Sequence, residues 1–405
     1  MLGLRVSSVH CRPRACTFQR TKDTEVTALK VCHYMREYAR ATETFVVNQI
    51  AALSSVSESV LCRDHLPLTP TSTLASARTS VNAYGLSGAH PIYRRLKIAG
   101  PGEAAFYRDS LRSLGPDVLH VHYGTDAAYL LRAVGSIEAP MVVSYYGYDV
   151  SRFPQRLFGA ARLYLMPVFR RAAMHLAMTP QMAGTLIALG APLDRVKVHH
   201  HGIDVGAWET VDRTASVGTR LLIVASLVEK KGHAVLLKAV ALLASAGLDV
   251  RLRIVGDGPL RRELESTVSA LGIAPRAEFI GYLPHGPQLA SEYAAADIFV
   301  HPSRVDRRGD SEGLPGTILE AMASGLPIVS TEHAGIPYAV EQNRSGLLVP
   351  EGDAAALAQA VRRLIESPAE RLAMGAAGRN RVVKDFNIVN QAARLTDLYC
   401  EALSN

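Results

Sequence analysis

Two glutamates bracket a stretch rich in turn and helix-start residues: Ser311-Glu312-Gly313-Leu314-Pro315-Gly316-Thr317-Ile318-Leu319-Glu320. An apolar run, Asp297-Ile298-Phe299-Val300, and a polar loop, Arg304 to Asp310, lead into it, and Ala321-Met322-Ala323-Ser324-Gly325 follows. Pro315 suits the first turn of a helix, where a missing N–H costs nothing, and Gly325 suits the position after the last turn. The pattern predicts Glu312 in the loop before a helix and Glu320 in its second turn. The free N–H groups of Gly313, Leu314 and the first helical residues then form an anion site that favours phosphate. A carboxylate beside that site cannot hold the phosphate, but it accepts hydrogen bonds from hydroxyls attached to it. Two carboxylates flanking an anion hole suit a molecule with hydroxyls on both sides of a diphosphate, which describes a nucleotide-sugar. The spacing alone fits equally well a charged helix cap and one solvated glutamate.

The wider pattern, Glu312, seven residues, Glu320 and then Ala-Met-Ala-Ser-Gly-Leu-Pro-Ile-Val-Ser, resembles the retaining glycosyltransferases of family 4, and the resemblance runs from about residue 29. It implies a GT-B fold: α/β, two Rossmann-like doubly wound domains facing a cleft. It also implies that Glu312 contacts the donor sugar, Glu320 the ribose hydroxyls and Lys231 the diphosphate. Gly313 and Leu314 supply amides to the leaving group. The glycines of Val255-Gly256-Asp257-Gly258-Pro259 allow close approach of backbone to a ligand, so Gly256 and Gly258 join the donor site. Tyr282 and Leu283 take the place where the family holds the nucleobase. Thr44 and Asn48, in Thr42-Glu43-Thr44-Phe45-Val46-Val47-Asn48-Gln49-Ile50, are acceptor-site candidates; as bare residues they equally cap and solvate a surface helix.

Asp117-Val118-Leu119-His120-Val121-His122-Tyr123-Gly124 reads as a strand ending in a turn. His120 and His122 point the same way, and ligands of open parallel sheets bind beyond the carboxyl ends of strands. The pair alone fits metal ligands or strand-end packing, but no third ligand has convincing spacing, and we expect no metal. Similarity to the family's His-x-His-Phe-Gly places His122 against the donor sugar and leaves His120 structural. The tract His199-His200-His201, in the family's His-x-Gly-Ile-Asp position, reads as structural and near the hinge. The chain departs from the family pattern at two points. Tyr146-Gly147 stands where His-Gly is usual. Ser226 in Ser226-Leu227-Val228-Glu229-Lys230-Lys231-Gly232, a donor-site position by the resemblance, stands where Arg is usual. Either a nearby cation, Lys230 or Arg261, supplies the missing charge, or the enzyme is slow or degraded in function.

A chain of 405 residues exceeds the usual single-core size, so two domains are expected. Composition and periodicity divide it into a basic N-terminal arm over 1–25, an alternating strand–helix half over 26–204, a polar linker over 205–218, a second such half over 219–385, and a helix over 386–405. The resemblance implies that the first half is the acceptor-binding domain, that the second is the nucleotide-sugar-binding domain, and that the last helix crosses back to the first domain. We expect Thr42 to cap the helix after the first strand, the second strand to span Val56 to Cys62, and Leu66 to His90 to be loop. The five cysteines are scattered without a C-x-x-C, which favours a reducing compartment over a disulfide framework. No apolar run reaches the roughly 18 residues of a membrane span. The first 22 residues carry five basic groups and no acid, but lack the apolar core of a secretory signal. No basic stripe interleaved with aromatics exists, so no nucleic-acid partner is expected. The net charge of +7 is spread thinly, and Tyr93-Arg94-Arg95-Leu96-Lys97 is compatible with a weak peripheral membrane contact.

The expected activity is transfer of a hexosyl group from a UDP- or GDP-linked sugar to a glycan or polyprenyl-linked acceptor. It would be retaining and metal-independent, without a cofactor, on the cytoplasmic side at the inner face of the membrane, and in surface or exopolysaccharide biosynthesis. A nucleotide-sugar epimerase, a sugar-phosphate synthase, or a non-catalytic sugar-nucleotide- or polysaccharide-binding protein on the same fold are the alternatives.

Overall fold

Short runs rich in Val, Ile and Leu, closed by glycine or polar turns, form strands that pair in parallel throughout two sheets. The computed structural model describes residues 28–39, 43–66, 80–85, 93, 98–208, 211 and 219–404. The basic arm over 1–25, Thr42, Arg94, Arg95, Lys97 and most of the expected linker lie outside the described residues.

The first sheet contains β1 (Leu29–Tyr38), β2 (Val56–His65), β3 (Ser80–Ala83), β4 (Val118–His122), β5 (Met141–Tyr145), β6 (Met174–Ala177) and β7 (Val196–Val198), in the order β3-β2-β1-β4-β5-β6-β7. The second contains β8 (Thr219–Val224), β9 (Val250–Val255), β10 (Ala277–Gly281), β11 (Ile298–His301), β12 (Ile328–Thr331) and β13 (Gly346–Val349), in the order β10-β9-β8-β11-β12-β13. Parallel sheets need cover on both faces, and β4, β5, β6 and β11 are buried along their whole length. In each sheet the strand order reverses beside its first strand, at β1/β4 and at β8/β11. Such switch points leave a crevice beyond the carboxyl ends of the strands. The two crevices face one another.

The last helix, Ile388–Ser404, returns to the first sheet. Its buried face, Ala392, Leu395, Leu398, Tyr399 and Ala402, packs on Val31, Val118, Val142, Met174 and Leu176. Burying each leucine contributes roughly 1.5–3 kcal/mol. Ile203 and Asn387 form a bridge, so the chain passes twice through one place between the sheets.

Two expectations need correction. The segment Leu66 to His90, read as loop, contains β3, which pairs along the edge of β2 from Ser59–Ser80 onward. Four residues, Ser-Val-Asn-Ala, are too short to show alternation, and an edge strand needs little apolar surface. Trp208, placed in the linker, is 2% exposed. Its ring packs edge-on against Tyr293 and His285, each with centroids 5.0 Å away, inside the core of the second domain.

Candidate active site

A cavity of about 550 Å³ opens where the carboxyl ends of the two sheets meet. The turns after β8, β9, β10 and β11 bring Ser226, Lys230, Lys231, Gly256, Asp257, Tyr282, Leu283, Glu312, Gly313 and Leu314 to its wall. The helix Gly316–Ala323 contributes Gly316, Thr317 and Glu320. From the first domain come Thr44 and Asn48, on the helix Thr44–Ala51, with Phe45, Tyr123, Tyr146, Tyr148 and His201.

Glu312 sits in the loop before the helix, with its side chain 10% exposed and Oε1 3.0 Å from Lys231 Nζ. Lys230 Nζ lies 3.9 Å from the same oxygen and 3.2 Å from Asp310 Oδ2. Burial alone would raise the Glu312 carboxyl, but Lys231 and Lys230, with His301, outweigh it and hold the group down at about 2. Burial likewise works against the Lys230 ammonium, and Glu312 and Asp310 overcome it, raising its pKa. The site therefore presents two cations and an ionised carboxylate at neutral pH. Gly232 makes this turn possible: its φ is +71°, and a Cβ there would run into the Pro302 carbonyl.

The Glu312 loop is pinned from behind. Its backbone N–H donates to His333 Nε2 at 3.1 Å, so His333 carries its proton on Nδ1 and donates it to Glu351 Oε1 at 2.6 Å. The other Glu351 oxygen accepts from the Val305 amide at 2.8 Å. Glu320 accepts from the Tyr293 hydroxyl at 2.7 Å. Burial raises its carboxyl, and His285 and Tyr293 offset part of that.

Two expected residues do not reach the wall. Gly258 packs on the backbone of Leu227, which leaves no room for a side chain; the glycine serves the turn. His122 is fully buried behind Tyr146. Its Nδ1 is 2.6 Å from the Tyr146 hydroxyl and its Nε2 is 3.1 Å from His33 Nδ1. Tyr146, the departure noted in the sequence, lines the cavity in front of it. His120 bonds Tyr399 of the last helix at 2.7 Å and Ser144 at 2.8 Å. The third histidine that spacing did not supply is His33, from the neighbouring strand; the three offer ligand atoms within 4.8 Å of one another. Both ring nitrogens of His120 and of His122 already have protein partners, so the cluster is a hydrogen-bonded network as it stands. At the mouth, the domains touch backbone to backbone: a Cβ on Gly147 would lie 3.0 Å from the Gly313 nitrogen.

His333, Glu351, Tyr123 and His201 are not found by reading the sequence for this chemistry. His333 follows the end of β12, and the rule that ligands gather beyond strand ends is the one signal that marks it.

Residues 43–206 match the family model Glycosyltransferase Family 4, and residues 218–367 match that of Glycosyl transferases group 1. A protein named as a colanic acid biosynthesis glycosyltransferase, WcaL, from Escherichia coli strain K12 is 33% identical over 275 residues, covering 67% of each chain. The amylovoran biosynthesis glycosyltransferase AmsK of Erwinia amylovora is 33% identical over 274 residues, again covering 67% of each. Among solved structures, Anabaena HepE in complex with UDP superposes with a TM-score of 0.75 at 18% identity, covering 93% of this chain and 100% of that one. Sucrose-phosphate synthase from Thermosynechococcus elongatus gives 0.77 at 20% identity, covering 93% and 99%. At these identities the two structures speak for the fold, which is GT-B.

Proposed function

The chain belongs to glycosyltransferase family 4, and from that premise we propose that it transfers a hexosyl group from a nucleotide-diphosphate sugar to a glycan or lipid-linked acceptor, with retention, in exopolysaccharide biosynthesis. The observation that carries this reading is the convergence of Glu312, Glu320, Lys231 and a helix start on one cavity, opposite Thr44 and Asn48. The diphosphate sits at the start of helix Gly316–Ala323 with Lys231, the ribose at Glu320, and the nucleobase by Tyr282 and Leu283. Glu312 takes the sugar hydroxyls.

Charge grows on the leaving diphosphate oxygen in the transition state. Prepositioned donors that meet it there lower the barrier more than contacts made equally in the ground state. Lys231, with Lys230 beside it, supplies that charge, so the step needs no metal. The leaving phosphate itself takes the proton of the incoming hydroxyl, and no protein nucleophile is required. Relatives carry names from colanic acid and amylovoran biosynthesis, and the HepE structure holds UDP; both agree with this reading.

Titration of the purified protein with UDP and GDP tests it. One of them is expected to bind and to raise the thermal midpoint, and the matching sugar nucleotide to be consumed with the anomeric configuration kept, as read by NMR, with EDTA present. If neither nucleotide binds, the reading is wrong.

A further inference from the structure

The tract His199-His200-His201 has three different surroundings. His199 bonds the Gln391 carbonyl at 3.1 Å, and His200 packs on Phe386 with ring centroids 4.3 Å apart. His201 alone lines the cavity. It is 3% exposed, its ring lies 4.8 Å from that of Phe45, and neither of its ring nitrogens has a partner among the described residues. A buried polar group without a partner costs about 1–3 kcal/mol, and native proteins keep few of them without a functional reason. Burial, then His199, keeps the imidazole neutral by pushing it down to about 4. One nitrogen therefore carries a hydrogen and the other a lone pair.

The direction of the ring supplies the second observation. A Cβ built on Gly316 would lie 3.6 Å from His201 Nε2. Gly316 is the first residue of helix Gly316–Ala323, whose opening N–H groups have no partner within the helix. An unpartnered imidazole and the positive end of a helix thus converge on one point of the cavity wall. Together they suit an anion, and the anionic part of a nucleotide-sugar is its diphosphate.

We propose that His201 donates its Nε2 hydrogen to the diphosphate of the donor, closing a phosphate seat whose other side is the amides of Gly316 and Thr317. This rests on the nucleotide-sugar reading above. His201 lies on the stretch that joins the domains, just before Gly202, which packs against the backbone of Ile388. A phosphate held by both His201 and the helix start therefore ties the joint between the domains to the donor.

His201→Phe keeps a ring on Phe45 and removes both nitrogens. His201→Gln restores an amide N–H. Binding of UDP, GDP and the bare nucleosides uridine and guanosine is measured for each variant by calorimetry, with displacement titration for weak ligands. Phenylalanine is expected to weaken the diphosphate that the parent binds by about tenfold, to leave its nucleoside unchanged, and glutamine to recover part of the loss. Should phenylalanine not fold, His201→Leu takes its place with the same expected outcome. Diphosphate affinity within twofold of the parent overturns the inference, and so does an equal loss for nucleoside and diphosphate, which marks the ring as packing only. A parent that binds neither diphosphate sinks the nucleotide-sugar reading itself, and this inference with it.

Discussion

Glu320 carries two jobs in this geometry, and a substitution separates them. It accepts the Tyr293 hydroxyl within the protein and, in the proposed reading, the ribose hydroxyls. Glu320→Ala removes the nearer acceptor of the Tyr293 hydroxyl, which also reaches the Thr317 carbonyl at 3.4 Å, and so confounds folding with binding. Glu320→Gln keeps the nearer acceptor and removes the charge. A hydrogen bond to a charged acceptor is worth about 1.5–3 kcal/mol, so Gln is expected to weaken the nucleoside diphosphate by about one to two decades with little change in thermal midpoint. Unchanged affinity by calorimetry removes Glu320 from the ribose. Ser226 poses the opposite question, whether a charge is missing. Arg261 is engaged elsewhere, stacked 4.9 Å over Phe279 and paired with Glu265. Lys230 lines the same cavity as Ser226, 3.9 Å from Glu312. With two lysines present, Ser226→Arg adds a like charge, and turnover is expected to fall. A gain in turnover would show that Lys230 leaves the diphosphate short of a cation.

The helix Gly316–Ala323 and its preceding loop were legible in the sequence because everything that shapes them is local: a proline at the start, where Pro315 caps the helix one position ahead of the expected first turn, Gly325 after the last turn, and Glu320 placed by helical spacing. The residues that hold this element in place were not, because they arrive from other strands. His333 and Glu351 follow β12 and β13, and they back Glu312 in series only because β12 pairs with β11 and β13 with β12 in parallel register. His122 shows the same limit from the other side. Its strand-end position was readable, but whether it meets the cavity depends on Tyr146 at the end of the adjacent strand, whose ring covers it. The His333 contact gives an element-scale prediction. His333→Ala deprives the half-buried Glu312 amide of its acceptor, at a cost of about 1 kcal/mol, and lets the loop relax. Glu312 contacts the sugar in the proposed reading, so turnover is expected to fall about tenfold or more while affinity for the bare nucleoside diphosphate stays within about twofold. His333→Gln, which can accept the amide through its side-chain oxygen, is expected to recover part of the rate. Wild-type turnover in the alanine variant would show that the loop holds its shape without this support.

At the scale of the molecule, the most consequential charge feature is a set of histidines kept neutral by burial. Burial lowers His33, His200, His233 and His301 to about 3 and His175, His199 and His201 to about 4. It drives His120 and His122 well down as well. They occupy both domains, and several stand where the two domains and the last helix meet: His120 bonds Tyr399, and His199 bonds Gln391. In the unfolded chain each returns to its ordinary value near 6.5. Below that pH the unfolded state binds protons that the folded state refuses, so stability falls as pH falls. Each such histidine removes about 1.4 kcal/mol per pH unit between roughly 6.5 and its folded value, and three acting together would remove about 4 kcal/mol per unit, a large part of an ordinary domain's 5–15 kcal/mol. The Glu312 carboxylate acts in the same direction but later: its folded value of about 2 costs stability only as pH falls through the window from about 4.5 to 2. The two windows separate the causes. The thermal midpoint, measured by calorimetry or far-UV circular dichroism, is expected to be flat from pH 8 to 7 and to drop steeply from 6.5 to 5, above the Glu312 window. Burial raises the Asp149 carboxyl to about 6, so this one group takes up a proton in the fold over the same range and offsets part of the drop caused by the more numerous histidines. Replacing His175, which is away from the cavity and bonds Tyr145 at 2.9 Å, with Gln should make that drop shallower while leaving the order of events unchanged. A midpoint that holds steady from pH 7 to 5 would mean that these imidazoles take up protons within the fold, which the dry surroundings described above do not allow.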